Sequence, residues 1–319
     1  MPFSDDPHDG PDVSVVIPTR NRRRLLALAL GSALEQRAVR LEVVVVDEGS
    51  SDGTGAMVQG IGDPRVRLVR HDVPLGKSAA RNRGITESVG RWVAFLDDDD
   101  VWSPDKLRLQ LDELHRTART WAYTGAVNIT GEYRVIGGAP PLPPEEVARA
   151  LPRINRVPGG CSGVIASRAG LPPDGFDGAF RLAEDWDLWI RLAQQGPPAS
   201  VPRPLVGYRV HAGNSSFDTG LLLTEARMIE RRYGGPIDWV SLYRHAARLC
   251  LRMNRRGAAL GYYLRAAVCD RGQYLASGFL GDVRRVLPVR RMTVTQPEYP
   301  EWAAEARVWL DEFARRHAG

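Results

Sequence analysis

The sequence predicts an α/β fold, in which a mostly parallel sheet carries helices on both faces and is followed by an all-helical C-terminal region. Two observations predict it. Over the first hundred residues, short β-branched runs alternate with segments of helical periodicity, a pattern typical of strand–helix–strand units. From about residue 220 onward only helical patterns occur, so we expect the sheet to end before that point.

Length and composition are typical of a globular protein with one large or two modest domains. The chain has 319 residues, of which 43% are hydrophobic and 25% are charged. No uninterrupted apolar run approaches the ~18–20 residues needed to span a bilayer, and the polar, acidic N-terminus does not resemble a signal peptide. The three cysteines show no C-x-x-C spacing, which argues against a disulfide framework. We therefore expect a cytoplasmic protein.

The elements can be predicted in order along the chain. Residues 1–12 are polar, and we expect a disordered leader there. Apolar or β-branched runs predict strands at 13–18, 41–46, 66–69, 91–96 and 164–166, and a hairpin over 121–136. Helical spacing and capping residues predict helices at 22–36, 77–89, 103–116, 184–195, 241–253, 257–268 and 299–316. For the helix at 103–116, Ser103 is the predicted N-cap and Pro104 the first helical residue.

Polar clusters follow three of the predicted strands, at 18–21, 47–54 and 97–100. The carboxyl ends of parallel strands lie along one edge of a sheet, and ligands bind in the crevice beyond that edge. The placement of these clusters therefore predicts a binding site, independently of any family.

The most informative of these clusters is the run of four Asp residues at 97–100. A cation would relieve their mutual repulsion, and oxygen ligands suit Mg²⁺ or Mn²⁺, although a solvated acidic turn is the structural alternative. Asp47 fits either a contact to ribose or a cap of the next helix. Lys77 and Arg81 lie in the first turns of a predicted helix, which suits a phosphate, but the Walker spacing is absent.

Further candidates lie in the second half of the chain, and each also has a structural explanation. Glu184 and Asp185 open a predicted helix, where the helix dipole favours acidic residues. Trp186 fits either the core or the floor of a sugar site. His211 fits either a metal or phosphate ligand or a structural histidine.

The order of these segments resembles the family 2 glycosyltransferases with the GT-A fold. The resemblance covers about residues 13–216. It rests on VSVVIPTRNR at 13–22, VVVVDEGSSDGT at 43–54, GKSAARNRGI at 76–85, VAFLDDDDVWSPDKL at 93–107, GFDGAFRLAEDWDLWIRLAQQG at 175–196 and YRVHAGNSS at 208–216. It implies a catalytic domain over 13–219, with a nucleotide half at about 13–100 and an acceptor half at about 101–219, before the helical region at 220–319.

The resemblance also implies a role for each matching residue. Asp185 would be the catalytic base. Asp99 and His211 would hold Mn²⁺ or Mg²⁺, with Asp97 and Asp99 forming the D-x-D pattern of the family. The donor-binding residues would be Pro18, Thr19, Asn21, Asp47, Lys77, Arg81, Asp97 and Asp98. The acceptor-binding residues would be Gly160, Cys161, Ser162, Glu184 and Trp186.

The implied activity is inverting transfer of a sugar from a nucleotide-diphosphate donor, with UDP favoured over dTDP and GDP. The acceptor hydroxyl would belong to a saccharide, a lipid-linked or a small-molecule acceptor in cell-surface polysaccharide or glycoconjugate biosynthesis. The chain departs from the family at Glu48, where Asp is common, and it lacks the Q-x-x-R-W signature of processive synthases. The alternatives are a sugar nucleotidyltransferase and a catalytically silent nucleotide-sugar-binding protein.

The C-terminal region is basic, with 17 Arg against 10 acidic residues over 221–319. Such a charge suits nucleic acid or an anionic membrane, but nearly every cation in the chain is Arg, which codon composition also explains. We expect no nucleic-acid partner. Three interpretations remain: peripheral contact at the inner face of the membrane, a helical pair that binds a partner or forms a homodimer, and a helical cap on the catalytic domain, which we favour.

Overall fold

The structure, a computed structural model, describes residues 10–211, 213–214, 217–270, 274–275, 278–284, 286 and 299–317. These residues form two compact units. The first contains the described parts of 1–149, 156–210 and 297–319, and the second those of 150–155 and 211–296. Within the described ranges, no helix is both long and apolar enough to cross a bilayer.

The first half of the sheet has the predicted parallel arrangement. Strands β1 (Val13–Thr19), β2 (Leu41–Asp47), β3 (Val66–Arg70) and β4 (Trp92–Phe95) lie in the order β3-β2-β1-β4, and all their pairings are parallel. The connecting helices are α1 (Arg23–Leu34), α2 (Thr54–Gln59) and α3 (Lys77–Glu87). The valines of β1 and β2 are fully buried, which explains why these strands appear in the sequence as continuous apolar runs.

The second half of the sheet is mixed in direction. Its strands are β5 (Val101–Trp102), β6 (Trp121–Ile129), β7 (Val135–Ala139), β8 (Val164–Ser167) and β9 (Ala199–Arg209). The order continues β4-β8-β6-β9-β5, with β7 paired to β6; β6 and β9 are parallel and the other pairings antiparallel. The sequence did not predict β9, because Pro202 and Pro204 interrupt it. The structure accommodates them where the β6–β9 register shifts around Gly125.

Helices α4 (Lys106–Thr117), α5 (Pro144–Ala150) and α6 (Glu184–Gln195) complete this half. Helix α4 begins later than predicted, because residue 103 belongs to a turn in which the Ser103 carbonyl accepts from the Lys106 N–H at 3.1 Å. The predicted leader also ends earlier. Asp12 is already part of the fold through its 2.8 Å ion pair with Arg40, and residues 1–9 lie outside the described ranges.

The second unit is helical, as the sequence predicts for this part of the chain. Its described helices are α7 (Thr219–Tyr233), α8 (Trp239–Arg252), α9 (Arg256–Cys269) and α10 (Phe279–Arg284). Helices α7 and α8 begin behind Asp218 and Asp238, whose carboxylates accept from backbone N–H groups three residues on. Small residues and Tyr263 fill the buried interface around α8 and α9.

The last helix, α11 (Pro300–His317), belongs to the first unit and not to the helical one. Trp302, Trp309 and Phe313 pack on the sheet in a cluster with side chains of β5 and β6. The Trp309 indole donates to the Pro204 carbonyl on β9 at 2.8 Å, and a Cβ at Gly125 would lie 2.2 Å from the Trp302 ring. The sequence-based boundary at residue 220 groups this helix differently, because helical periodicity alone does not show what a helix packs against.

Candidate active site

The polar clusters predicted from the strand ends meet at one edge of the sheet. Thr19 closes β1 beside Asp47 at the end of β2. The Thr19 hydroxyl donates to the Asp98 carboxylate at 2.7 Å, which joins β1 to the turn after β4. Pro18 is buried in β1 opposite Val46. This meeting of strand ends is the arrangement that places a ligand crevice in an α/β sheet.

Residues 97–100, the four Asp residues after β4, form what we call the acidic turn. Arg22 neutralises the middle of this turn. One guanidinium nitrogen of Arg22 lies 3.0 Å from Asp98 Oδ1 and 2.6 Å from Asp99 Oδ2. Burial, together with the neighbouring Asp99 charge, nevertheless raises the pKa of Asp98 to about 6. Arg22 was not among the site residues predicted from the sequence. The sequence did contain a sign of its role, the run of basic residues directly after β1. Because the carboxyl ends of parallel strands meet at one edge of the sheet, this run lies near the acidic turn.

Asp100 holds the acidic turn in place from inside the protein. Its carboxylate accepts from the Ser162 hydroxyl at 2.6 Å and from the Arg209 N–H at 2.9 Å, and the residue has no exposed surface. Burial and the charges of neighbouring Asp residues raise its pKa well above the usual range. The Arg209 side chain also donates to the Asp99 carbonyl at 3.0 Å. The end of β9 therefore holds the acidic turn through Arg209. This connection could not be predicted from the sequence, because β9 itself was not predicted.

Arg81 connects the acidic turn to the start of α6. Its two terminal nitrogens reach Asp97 at 2.6 Å and Glu184 at 2.8 Å. Lys77, one turn earlier on α3, lies 2.7 Å from the same oxygen of Glu184. Arg81 and Glu184 are 3% and 2% exposed, so this ion pair is screened little by solvent. Arg81 Nε and Glu184 Oε2 have no hydrogen-bond partner among the described residues.

Asp185 stands beside this network at the first turn of α6 and keeps part of its surface exposed. Loss of hydration and the adjacent Glu184 charge raise its pKa to about 7, against the opposing effect of Lys77 and Arg81. One carboxylate oxygen accepts from the Trp186 N–H at 2.6 Å. A Cβ built on Gly160 would lie 3.8 Å from the other oxygen. A carboxylate with a pKa near neutrality and an open side is suited to accept a proton.

Most of the predicted acceptor-binding residues are buried. Ser162 has no exposed surface. Its hydroxyl donates to the Asp100 carboxylate and accepts from the Asp97 N–H at 3.0 Å. Cys161 and Trp186 are 2% and 3% exposed, and burial raises the pKa of the Cys161 thiol well above its usual range. Ser162 supports the acidic turn through its two hydrogen bonds, and Cys161 and Trp186 lie in the protein interior. Gly160 is half-buried and lies near the Asp185 carboxylate.

The predicted nucleoside contacts form a second bonded cluster. Asp47 is fully buried, accepts from the Ser50 N–H at 2.9 Å and pairs with Arg70 at 3.0 Å. Asn21, at a positive φ of 52°, accepts from the Ser51 N–H at 2.8 Å. The loop at the end of β1 is thereby tied to the loop at the end of β2. The donor contacts predicted for Asn21 and Asp47 stay predictions.

Glu48, which stands where the family commonly has Asp, has a structural role. Its carboxylate accepts from the backbone N–H groups of Leu75 and Gly76, at 2.7 Å and 2.5 Å, and contacts His71. It therefore fixes the loop that leads into α3. His211 belongs to the second unit, where its ring Nδ1 accepts from the Gly213 N–H at 3.1 Å, and its metal role stays a prediction.

Comparison with known proteins shows which family this part of the chain resembles. The family model described as "Glycosyl transferase family 2" matches residues 14–164, which include β1 to β4 and the acidic turn. The chain carries a family 2 glycosyltransferase domain. The succinoglycan biosynthesis protein ExoO of Rhizobium meliloti is 47% identical to the chain over 102 residues, which are 32% of this chain and 29% of that protein.

A longer match is to WfgD of Escherichia coli, named as a UDP-Glc:α-D-GlcNAc-diphosphoundecaprenol β-1,3-glucosyltransferase. It is 28% identical over 207 residues, which are 65% of this chain and 79% of that protein. The chain thus spans less than a third of ExoO, and about four fifths of WfgD.

The chain has the GT-A glycosyltransferase fold, as its superposition on two solved structures shows. TarS residues 1–349 of S. aureus, crystallised with UDP-GlcNAc, superpose with a TM-score of 0.55 at 16% identity, covering 95% of this chain and 89% of that one. The mannosyltransferase PcManGT of Pyrobaculum calidifontis, in complex with GDP-Man and Mn²⁺, gives 0.56 at 20% identity, covering 98% and 88%.

The pKa of Asp185 provides a direct test of the ion network. Replacing Glu184 with Gln removes a neighbouring negative charge and leaves Lys77 and Arg81 in place, so the pKa of Asp185 should fall. Replacing Lys77 with Gln removes a positive charge and should raise it. Carboxyl-carbon NMR shifts followed through a pH titration would report both changes, and an Asp185 pKa that moves upward in Glu184→Gln would contradict the coupling.

Proposed function

We propose that the protein transfers a sugar, with inversion, from a nucleotide-diphosphate donor to the hydroxyl of an acceptor, in cell-surface polysaccharide or glycoconjugate biosynthesis. The observation that carries the proposal is the Arg81 bridge, because it joins the acidic turn after β4 to Glu184 beside Asp185. The buried Arg81 Nε and Glu184 Oε2, which lack hydrogen-bond partners among the described residues, are polar atoms of the kind that a bound ligand satisfies.

The proposed reaction is a single displacement. The acceptor hydroxyl oxygen forms a bond to the anomeric carbon while the bond from that carbon to the diphosphate oxygen breaks. Asp185 takes the hydroxyl proton, and the nucleoside diphosphate leaves with the bonding electron pair. The pKa of about 7 supports this role, since a base with a pKa near the working pH is ionised and still able to hold the proton.

The cations of the site support binding of a diphosphate. Lys77 has 34% of its side chain exposed and Arg22 has 31%, so each can turn part of its charge toward a ligand. Their carboxylate partners keep them in position before the ligand arrives, which lowers the entropy cost of binding. A UDP donor is favoured, because the name of WfgD specifies UDP-Glc and TarS was crystallised with UDP and UDP-GlcNAc.

The acidic turn carries carboxylate oxygens, the type of ligand that Mn²⁺ and Mg²⁺ prefer. The side chains of Asp97 and Asp99 keep 28% and 10% of their surface exposed, and hard carboxylate oxygens suit these ions. Asp99 would hold the ion, with His211 as a proposed second ligand. When bound, the ion supplies positive charge to the diphosphate leaving group. Within the described residues, no three His, Cys, Asp or Glu side chains are grouped so that they could hold a metal ion together.

A lipid-linked acceptor and peripheral membrane contact form a further part of the proposal. WfgD is named for a diphosphoundecaprenol acceptor. On α9 the apolar residues Leu260, Leu264 and Val268, four apart along one face, are 36%, 49% and 83% exposed, beside exposed Arg265. An apolar stripe bordered by Arg suits the surface of an anionic bilayer. Self-association through these helices stays a prediction.

Asp185→Asn should lower kcat by at least the ~10²–10⁴-fold typical of a lost general base, while the dissociation constant of the donor stays largely unchanged. The exposed carboxylate Asp174 is the matched control, and Asp174→Asn should retain wild-type turnover. Steady-state rates of nucleoside-diphosphate release and calorimetric donor titrations would measure the two quantities. Near-normal turnover of Asp185→Asn would refute the assignment of the base.

A UDP-sugar should raise the melting temperature in the presence of Mn²⁺ or Mg²⁺ more than a dTDP- or GDP-sugar does. A ligand at 100 times its dissociation constant adds about 2.7 kcal/mol to the free energy of unfolding. Asp99→Asn should remove the metal-dependent part of this shift. A thermal-shift panel would test both points, and a GDP-specific shift would reassign the donor.

Vesicle flotation would test the membrane contact. The full chain should float with phosphatidylglycerol vesicles and much less with phosphatidylcholine, and added salt should weaken the binding. Val268→Glu should reduce flotation, whereas Val308→Glu, at a 73% exposed position on α11, should not. Equal flotation of the two variants would rule out the α9 face.

A further inference from the structure

A cavity of about 380 Å³ lies within the helical unit, apart from the residues assigned to catalysis. Its volume falls within the range of small-molecule sites, ~300–1,000 Å³. Helices α7 and α8 and the end of α9 supply its lining. The lining residues are Arg227, Glu230, Arg231, Trp239, Tyr243 and Cys269. We call this the α7–α8 cavity.

The cations of the cavity come from one face of α7. Arg227 and Arg231 are four residues apart, so they lie one above the other on the helix. Both are exposed, and among the described residues neither forms an ion pair with a carboxylate. Arg guanidinium groups bind phosphate or carboxylate through paired N–H donors. This pair therefore presents unbalanced positive charge to a ligand.

The one acidic residue among the lining side chains has structural partners. Glu230 Oε1 accepts from the Ile237 N–H at 3.1 Å and from the Trp239 indole at 3.3 Å. It thus fixes the turn between α7 and α8 and sets the orientation of the indole. With two Arg and one Glu, the lining retains a net positive charge, which favours an anion over a neutral ligand.

The α8 side of the cavity is aromatic. Trp239 and Tyr243 lie on one face of α8 with ring centroids 5.7 Å apart, and Tyr243 stacks on Tyr262 of α9 at 6.2 Å with an interplanar angle of 20°. The Arg227 guanidinium lies 5.6 Å from the centre of the Trp239 ring. A supported aromatic layer of this kind offers a rigid apolar surface to a ring-shaped ligand.

We propose that the α7–α8 cavity binds an acidic saccharide unit, one that carries a phosphate or a carboxylate. Arg231 and Arg227 bind the acidic group, and Trp239 and Tyr243 contact the C–H face of the sugar ring. This site is separate from donor binding and does not depend on the proposed transfer reaction. It gives the helical unit a glycan-binding role of its own.

Saturation-transfer NMR on the full chain tests the proposal, with saturating UDP added to occupy the nucleotide site. The probes are glucuronic acid, glucose 1-phosphate, glucose and inorganic phosphate. Ring-proton signals are expected from both acidic sugars, with glucose binding at least about tenfold more weakly. Arg231→Gln should weaken acidic-sugar binding about tenfold or more, since bonds to charged groups contribute strongly.

Arg307→Gln is the matched control, because Arg307 is an exposed arginine of α11 in the first unit, and it should bind both sugars as the wild type does. Trp239→Leu should reduce the ring-proton signals. Unchanged affinity in Arg231→Gln, equal binding of glucose and glucuronic acid, or competition by inorganic phosphate as strong as that by glucose 1-phosphate would each overturn the proposal. Loss of the UDP-sugar thermal shift would bear on the transferase reaction and not on this cavity.

Discussion

The Arg81 guanidinium is the group on which the arrangement of the candidate site depends. It lies on α3 and bonds Asp97 after β4 and Glu184 at the start of α6, so one cation joins three separate segments of the fold. A buried pair of this kind costs several kcal/mol of desolvation per ion, and removal of one partner would leave an uncompensated buried charge. The interaction is therefore better explained by the position that it gives to the site residues than by stability.

The site as a whole brings together negative charges that repel and cations that limit the repulsion. Arg22 lies on the Asp98–Asp99 side, and Arg81 and Lys77 lie on the Glu184 side. Part of the repulsion persists, because the pKa of Asp98 and that of Asp185 remain raised. A site held in this state before its ligand arrives interacts strongly with any further positive charge and needs little reorganisation to do so.

Much of the sheet and of the candidate site could be predicted from the sequence. The strand and the residues that were missed have identifiable physical causes. The strands β1, β2 and β4 are buried on both faces, so their apolar runs and the polar clusters behind them were visible without a structure. Strand β9 was not predicted, since Pro202 and Pro204 look like breakers until the β6 register shift accommodates them. Arg22 and Arg209 were missed because their roles depend on partners 76 to 110 residues away. The burial of Ser162 likewise follows from tertiary contacts alone.

Helix α11 has a consequence for the order in which the protein is assembled during synthesis. The surface of the first unit that it covers is formed by β5 and β6, whereas the helix itself follows the whole helical unit in the chain. While the ribosome makes the segments between, at ~5–20 residues per second, Val101, Val127 and Ile129 have no helix to cover them. A nascent chain therefore presents an apolar surface for roughly ten to thirty seconds, and it is during this interval that a chaperone would have most to protect.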